Sequence, residues 1–77
     1  MERRTHDVWL VASLIVYGIP YERIDTTNPN QKIFVFKDTP EFQEVYKLYY
    51  SGNMAIPSLL TFKETFKHIL DLVKHGN

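Results

Sequence analysis

Asp7-Val8-Trp9-Leu10-Val11-Ala12-Ser13-Leu14-Ile15-Val16-Tyr17-Gly18 reads as a helix with too much apolar surface for its length. On a helical wheel at about 100° per residue, Val8, Ala12 and Ile15 share one side, and Val11 and Leu14 lie next to them. Leu10 and Tyr17 take the opposite side, and Trp9 and Val16 share the last quadrant with Ser13. A surface helix shows a narrower apolar stripe with a polar back, so this one must be covered on most sides. It is too short to span a bilayer, which needs roughly 20 apolar residues. Although Arg3 and Arg4 precede the run, the cleavage site of a signal peptide is missing. Thr5 is placed to cap the first amides, Asp7 sits at the positive end of the helix dipole, and Gly18 suits a left-handed stop.

Outward from this helix, Met1 to Arg4 have no apolar anchor and read as a mobile lead-in. On the other side, Ile19-Pro20 ends the helix, because proline cannot continue it and disfavours the helical region for its predecessor. Residues 21–25 and 32–36 flank a segment centred on Asn28-Pro29-Asn30, a turn signal, and so predict an antiparallel hairpin. Its second strand is apolar on both faces, Ile33 and Val35 against Phe34 and Phe36, which calls for cover on both sides. The first strand is half polar, and Glu22, Arg23 and Asp25 suit an edge. Asp38-Thr39-Pro40-Glu41 then opens a second helix, with Thr39 as cap and Pro40 at the first position. Phe42, Val45, Tyr46 and Tyr49 form its core stripe, Gly52 stops it, and Leu48 and Tyr50 fall off the stripe. Met54-Ala55-Ile56 serves as a connector or as a short third strand. The last helix begins between Pro57 and Thr61 and carries the stripe Leu59, Phe62, Phe66, Ile69 and Val73.

The chain has 77 residues, room for a single domain of 1–77 with a small core. Without cysteine it has no disulfide framework and no thiolate chemistry, which fits a cytoplasmic protein held by packing or association. Nine basic residues balance nine acidic ones, so no global field draws it to nucleic acid or to a membrane.

On the last helix Glu64, His68, Asp71 and His75 share a face at spacings of four, three and four. His68 and His75 are about 10 Å apart by helix rise, too far for one ion, so a solvated polar face is expected and no metal site. Lys63, Lys67 and Lys74 form a basic stripe that could contact nucleic acid or another anion, but a stripe with interleaved carboxylates is weak support for that role. The tyrosines Tyr46, Tyr49, Tyr50, Tyr17 and Tyr21 are expected mainly in packing, with a base-stacking pocket as the alternative. Ser13 and Ser58 lack the setting of a nucleophile, and the glycines sit at helix ends rather than in a phosphate loop. No enzyme activity and no cofactor are expected.

The succession Thr5-x-Asp7, apolar helix, Gly18, short strand, Ile33-Phe34-Val35-Phe36, and Asp38-Thr39-Pro40 opening a helix that closes near Gly52 resembles a small family of uncharacterised domains of bacteria and their phages. The likeness spans roughly residues 5 to 70. It implies no activity, and as a setting it implies a phage or prophage accessory role.

The expected architecture is α+β in the order α-β-β-α-α, with the hairpin packed on helices. One short chain covers two or three sides of the first helix, so Trp9, Leu10, Val16 and Tyr17, joined by Leu48 and Tyr50, are expected to form a homodimer interface. The alternative is a monomer wrapped around that helix, with only Trp9 or Tyr17 at the surface. The expected function is a small interaction or regulatory module, such as a counter-defence protein, that docks on a protein partner. Two alternatives are a nucleic-acid-binding accessory protein using the lysine stripe, and a binder of a nucleotide-like ligand at a dimer cleft.

Overall fold

The computed structural model describes residues 1–52, 54–55 and 58–75. Its elements run β1 (Glu2–Thr5), α1 (Val8–Val16), β2 (Arg23–Asp25), β3 (Ile33–Lys37), α2 (Pro40–Ser51) and α3 (Leu59–His75), a mixed α+β fold. The strands form one antiparallel sheet in the order β1-β3-β2, and α1 packs against both α2 and α3.

The apolar stretch is the centre of the core. Five consecutive residues, Leu10 to Leu14, are buried, which requires cover on every side of the helix. The cap is Asp7 rather than Thr5: its Oδ1 accepts from the amides of Trp9 at 3.0 Å and Leu10 at 3.3 Å. The Thr5 hydroxyl sits one step upstream and accepts from the Asp7 amide at 3.1 Å. Buried Ser13 donates to the Trp9 carbonyl at 2.8 Å and so satisfies its own hydroxyl within the helix. At the other end Gly18 takes φ 87°, while the Ile19 amide bonds to Leu14 O and the Gly18 amide to Ile15 O, both at 2.9 Å. This paired closure needs a left-handed residue, and glycine adopts that conformation without a Cβ penalty.

The third strand is not the segment expected for it. Residues 1–4, expected as a mobile lead-in, instead supply most of β1 (Glu2–Thr5) on the open edge of β3, pairing Arg3 with Phe36 and Thr5 with Phe34. Met54 and Ala55 lie outside any strand, and Ile56 is outside the described residues. The reason is in β3, whose Phe34, Val35 and Phe36 are all fully buried and whose backbone must pair on both edges. Phe34 and Phe36 face the helices with Leu10, Val11, Leu14, Phe42, Val45 and Ile69.

Val35 faces the other way, outside the cluster that packs on the helices. Register places Arg4 on one side of it and Arg23 on the other. Arg23 reaches across to Glu2 with two bonds of 2.7 and 3.2 Å, and Arg4 reaches back to Asp25. Cross-strand register sets both arginines beside Val35, so two crossed ion pairs span this face of the sheet. Hydrogen bonds from Thr27 and then Arg4 hold the Asp25 carboxyl well below the usual carboxylate range, and the Arg23 bonds lower that of Glu2.

The hairpin turn is as expected: the Gln31 amide bonds to Asn28 O at 3.2 Å, and Asn28 Oδ1 accepts from Asn30 at 2.9 Å. In α2, Thr39 caps the Phe42 amide at 3.1 Å, Pro40 fills the first turn and Gly52 closes the helix at φ 78°. In α3 the start falls at Leu59, where Ser58 Oγ accepts from the Thr61 amide at 3.2 Å.

A long-range bond joins the two helix ends. Tyr49 on α2 donates to Asp7 Oδ2 at 3.0 Å, so one carboxylate caps α1 and anchors α2. Partial burial, followed by the bond to Asp7, pushes the Tyr49 phenol up to about 12 from its ordinary 10.0. A raised acid favours the neutral form in the folded state, so its contribution is fully present below pH 10.0 and is lost as pH rises toward 12. Tyr49→Phe should therefore lower stability by about 1 kcal/mol at neutral pH. It should also flatten the decline measured in urea titrations across that alkaline window, and an unchanged slope would contradict the assignment.

Candidate docking groove

Where α1 stops, the chain turns sharply through Gly18-Ile19-Pro20 and runs beside α2. The closure at Gly18 forces this path, and Tyr21 then packs edge-on against Phe34, with ring centroids 5.2 Å apart at 76°. Between this loop and α2 lies an open groove of about 690 Å³. Tyr17, Ile19, Pro20, Tyr21, Val45 and Leu48 give it an apolar lining, and Glu22, Lys37, Thr39, Glu41 and Glu44 give it a polar rim. Its volume falls within the ~300–1,000 Å³ of sites that engulf a ligand or a few side chains.

The rim is acidic. Lys37 pairs with Glu22 at 3.7 Å, whereas Glu41 and Glu44 form no ion pair among the described residues. Both project from the first turns of α2, Glu44 one turn and Glu41 two turns before Leu48. The Tyr17 hydroxyl donates to the Ala55 carbonyl, which fixes one wall of the groove to the segment leading into α3.

The residues expected at an interface are dispersed by the fold. Tyr17 and Leu48 come together in the groove. Leu10 does not reach any surface: it is 1% exposed, because α2 and α3 together cover the side of α1 that was expected to stay open. Val16 is half-buried outside the groove lining. Trp9 is 52% exposed and stacks on Phe66 at 4.0 Å and Phe62 at 5.9 Å, a separate aromatic face between α1 and α3. Tyr50 is exposed and packs on Tyr46 and Tyr49, with centroids 4.7 and 5.0 Å apart. The Arg3 guanidinium lies over Tyr46 at 4.9 Å and Phe42 at 5.3 Å, so this cluster packs as part of α2 while Tyr17 and Tyr21 line the groove.

Lys63, Lys67 and Lys74 are exposed along α3 and form no ion pair among the described residues. Glu64, His68 and Asp71 are exposed on the same helix, and the His75 side chain lies outside the described set. Among the described residues no group of three or more His, Cys, Asp or Glu is placed to hold a metal ion, and no helix is long and apolar enough to cross a membrane.

From the sequence, Glu41 read only as a helix-start residue and Ile19-Pro20 only as a stop. The signal that marks them is the face Glu41, Glu44, Leu48, at i, i+3 and i+7, set off from the core stripe of α2.

Over residues 2–74 the chain matches the family described as Domain of unknown function (DUF5659). The chain belongs to this family. No curated protein and no solved structure matches it. The match covers nearly the whole domain, β1 and α3 included, so the strand order and the groove lie within the family's span. The family assignment brings no activity with it, and the functional reading comes from the groove.

Proposed function

We propose that this domain is a non-enzymatic interaction module that binds a protein segment in the groove between the α1–β2 loop and α2. The observation that carries the reading is the groove's make-up: an apolar lining open to solvent, bounded by Glu41 and Glu44, which form no ion pair among the described residues. Apolar lining gives affinity by burial, and the rim selects by charge. Such a site fits a helical or extended segment that presents an apolar side chain with basic neighbours. The shape is already formed, because Gly18 closes α1 and Tyr21 is anchored on Phe34, so little ordering is needed on binding.

Leu48→Glu tests this reading, since Leu48 is half-buried at the groove and outside the core cluster. Proteins captured from extracts of the producing cells by the wild-type domain should be lost with Leu48→Glu and kept with Lys74→Glu, at unchanged melting temperature. Identical capture by all three would refute the groove as the docking site.

A further inference from the structure

We infer that the segment fitting this groove is present in the chain itself, so that the groove of one copy takes the start of α3 from a second copy. The inference rests on the reading of the groove as a docking site and names its occupant.

Along α2 the groove side presents Glu41, Glu44 and Leu48, at i, i+3 and i+7. Along α3 the exposed ridge presents Leu60, Lys63 and Lys67, at the same spacing with the apolar residue first instead of last. Laid antiparallel, the two helices put Leu60 against Leu48, Lys63 against Glu44 and Lys67 against Glu41. Each triplet spans about 10 Å of helix rise, so all three contacts form in a single register. Glu64 is one turn from both Leu60 and Lys67, so a single carboxylate borders this ridge and the two lysines outnumber it.

Among the described residues, both surfaces stay open. Leu60 is 67% exposed and Leu59 76%, an unusual exposure for two adjacent leucines in a core-forming helix. None of the four charged residues forms an ion pair among the described residues. Self-docking would cover the leucines and set Lys63 and Lys67 against Glu44 and Glu41 of the rim. The Tyr17–Ala55 bond ties the groove wall to the segment that enters α3, so each copy carries both halves on neighbouring parts of its surface. That placement allows the exchange to close as a two-fold pair instead of growing as an open chain.

Sedimentation equilibrium over a concentration series tests it with the full chain. The wild type should self-associate, and Leu60→Glu should weaken association about tenfold or more with no change in melting temperature. The pair Glu41→Lys with Glu44→Lys should weaken it about tenfold, and adding Lys63→Glu with Lys67→Glu in the same chain should restore it. A wild type that stays monomeric into the millimolar range, or a charge reversal without rescue, would overturn the inference. If the wild type is monomeric and Leu48→Glu still abolishes capture of another protein, self-docking falls and the groove reading stands. If neither effect is seen, both fall.

Discussion

A chain shortened to begin at His6 is expected to lose cooperative folding. Removing β1 strips the central strand of one ladder, leaving Phe34, Val35 and Phe36 with unpaired backbone on an apolar edge. It also removes Glu2 and Arg4, whose crossed pairs span the sheet beside Val35, and Arg3, which lies over Phe42 and Tyr46. The remaining two-stranded hairpin is marginal by itself and would depend on the helices alone. At roughly 0.05–0.15 kcal/mol per residue a domain of this size has about 4–12 kcal/mol in all, and the ladder bonds, at about 1 kcal/mol each, are a large share of it. Far-UV circular dichroism and thermal melts should show a broad, non-cooperative transition, and the bare edge should drive aggregation. Glu2→Gln with Arg4→Gln keeps the backbone of β1 and should shift the melt only modestly, because exposed ion pairs contribute little each. A shortened chain that melts like the full one would show that β1 is not part of the folding unit.

Phe34→Ala is expected to have the largest effect of any single substitution. Phe34 is fully buried on the central strand, in the cluster with Leu10, Leu14, Phe42 and Ile69, and Tyr21 rests edge-on against its ring. Truncating a buried phenylalanine costs about 3–5 kcal/mol in lost transfer and cavity terms. That is a large part of the total stability, so the urea midpoint should fall steeply while the m value holds. The ring also supports the groove through Tyr21, so Phe34→Leu, which keeps most of the volume, should fold yet loosen the Tyr21 wall. A loss below about 1 kcal/mol for Phe34→Ala would contradict the packing described, since so small a change is typical of surface positions.

Local signals gave the helix ends and the turn. Gly18, Gly52, Thr39-Pro40 and Asn28-Pro29-Asn30 each impose a backbone conformation through their own chemistry, and each acts where it was expected. The unbroken apolar run of β3 announced burial on both faces, and Phe34, Val35 and Phe36 are all buried. The misassigned positions depend on partners distant in sequence. Glu2-Arg3-Arg4-Thr5 has no apolar pattern and reads as a tail, because its pairing comes from backbone bonds to β3 about thirty residues away and from charges that cross the sheet. Leu10 was expected at an interface because the wheel of α1 shows how much surface needs cover, not which element supplies it.

The groove was legible only in fragments. Tyr17 and Leu48 stood out as apolar residues off the core stripes, but their meeting depends on the path of the α1–β2 loop past α2. Periodicity and residues with few allowed conformations were enough for the α+β class, the central buried helix, the hairpin and the cap of α2, whereas the cap of α1 fell at Asp7 instead of Thr5. The tertiary structure alone decided the strand order β1-β3-β2, the crossed ion pairs beside Val35 and the acidic groove. These arise from contacts between residues far apart along the chain, where the energy comes from mutual burial and charge pairing that no local pattern encodes.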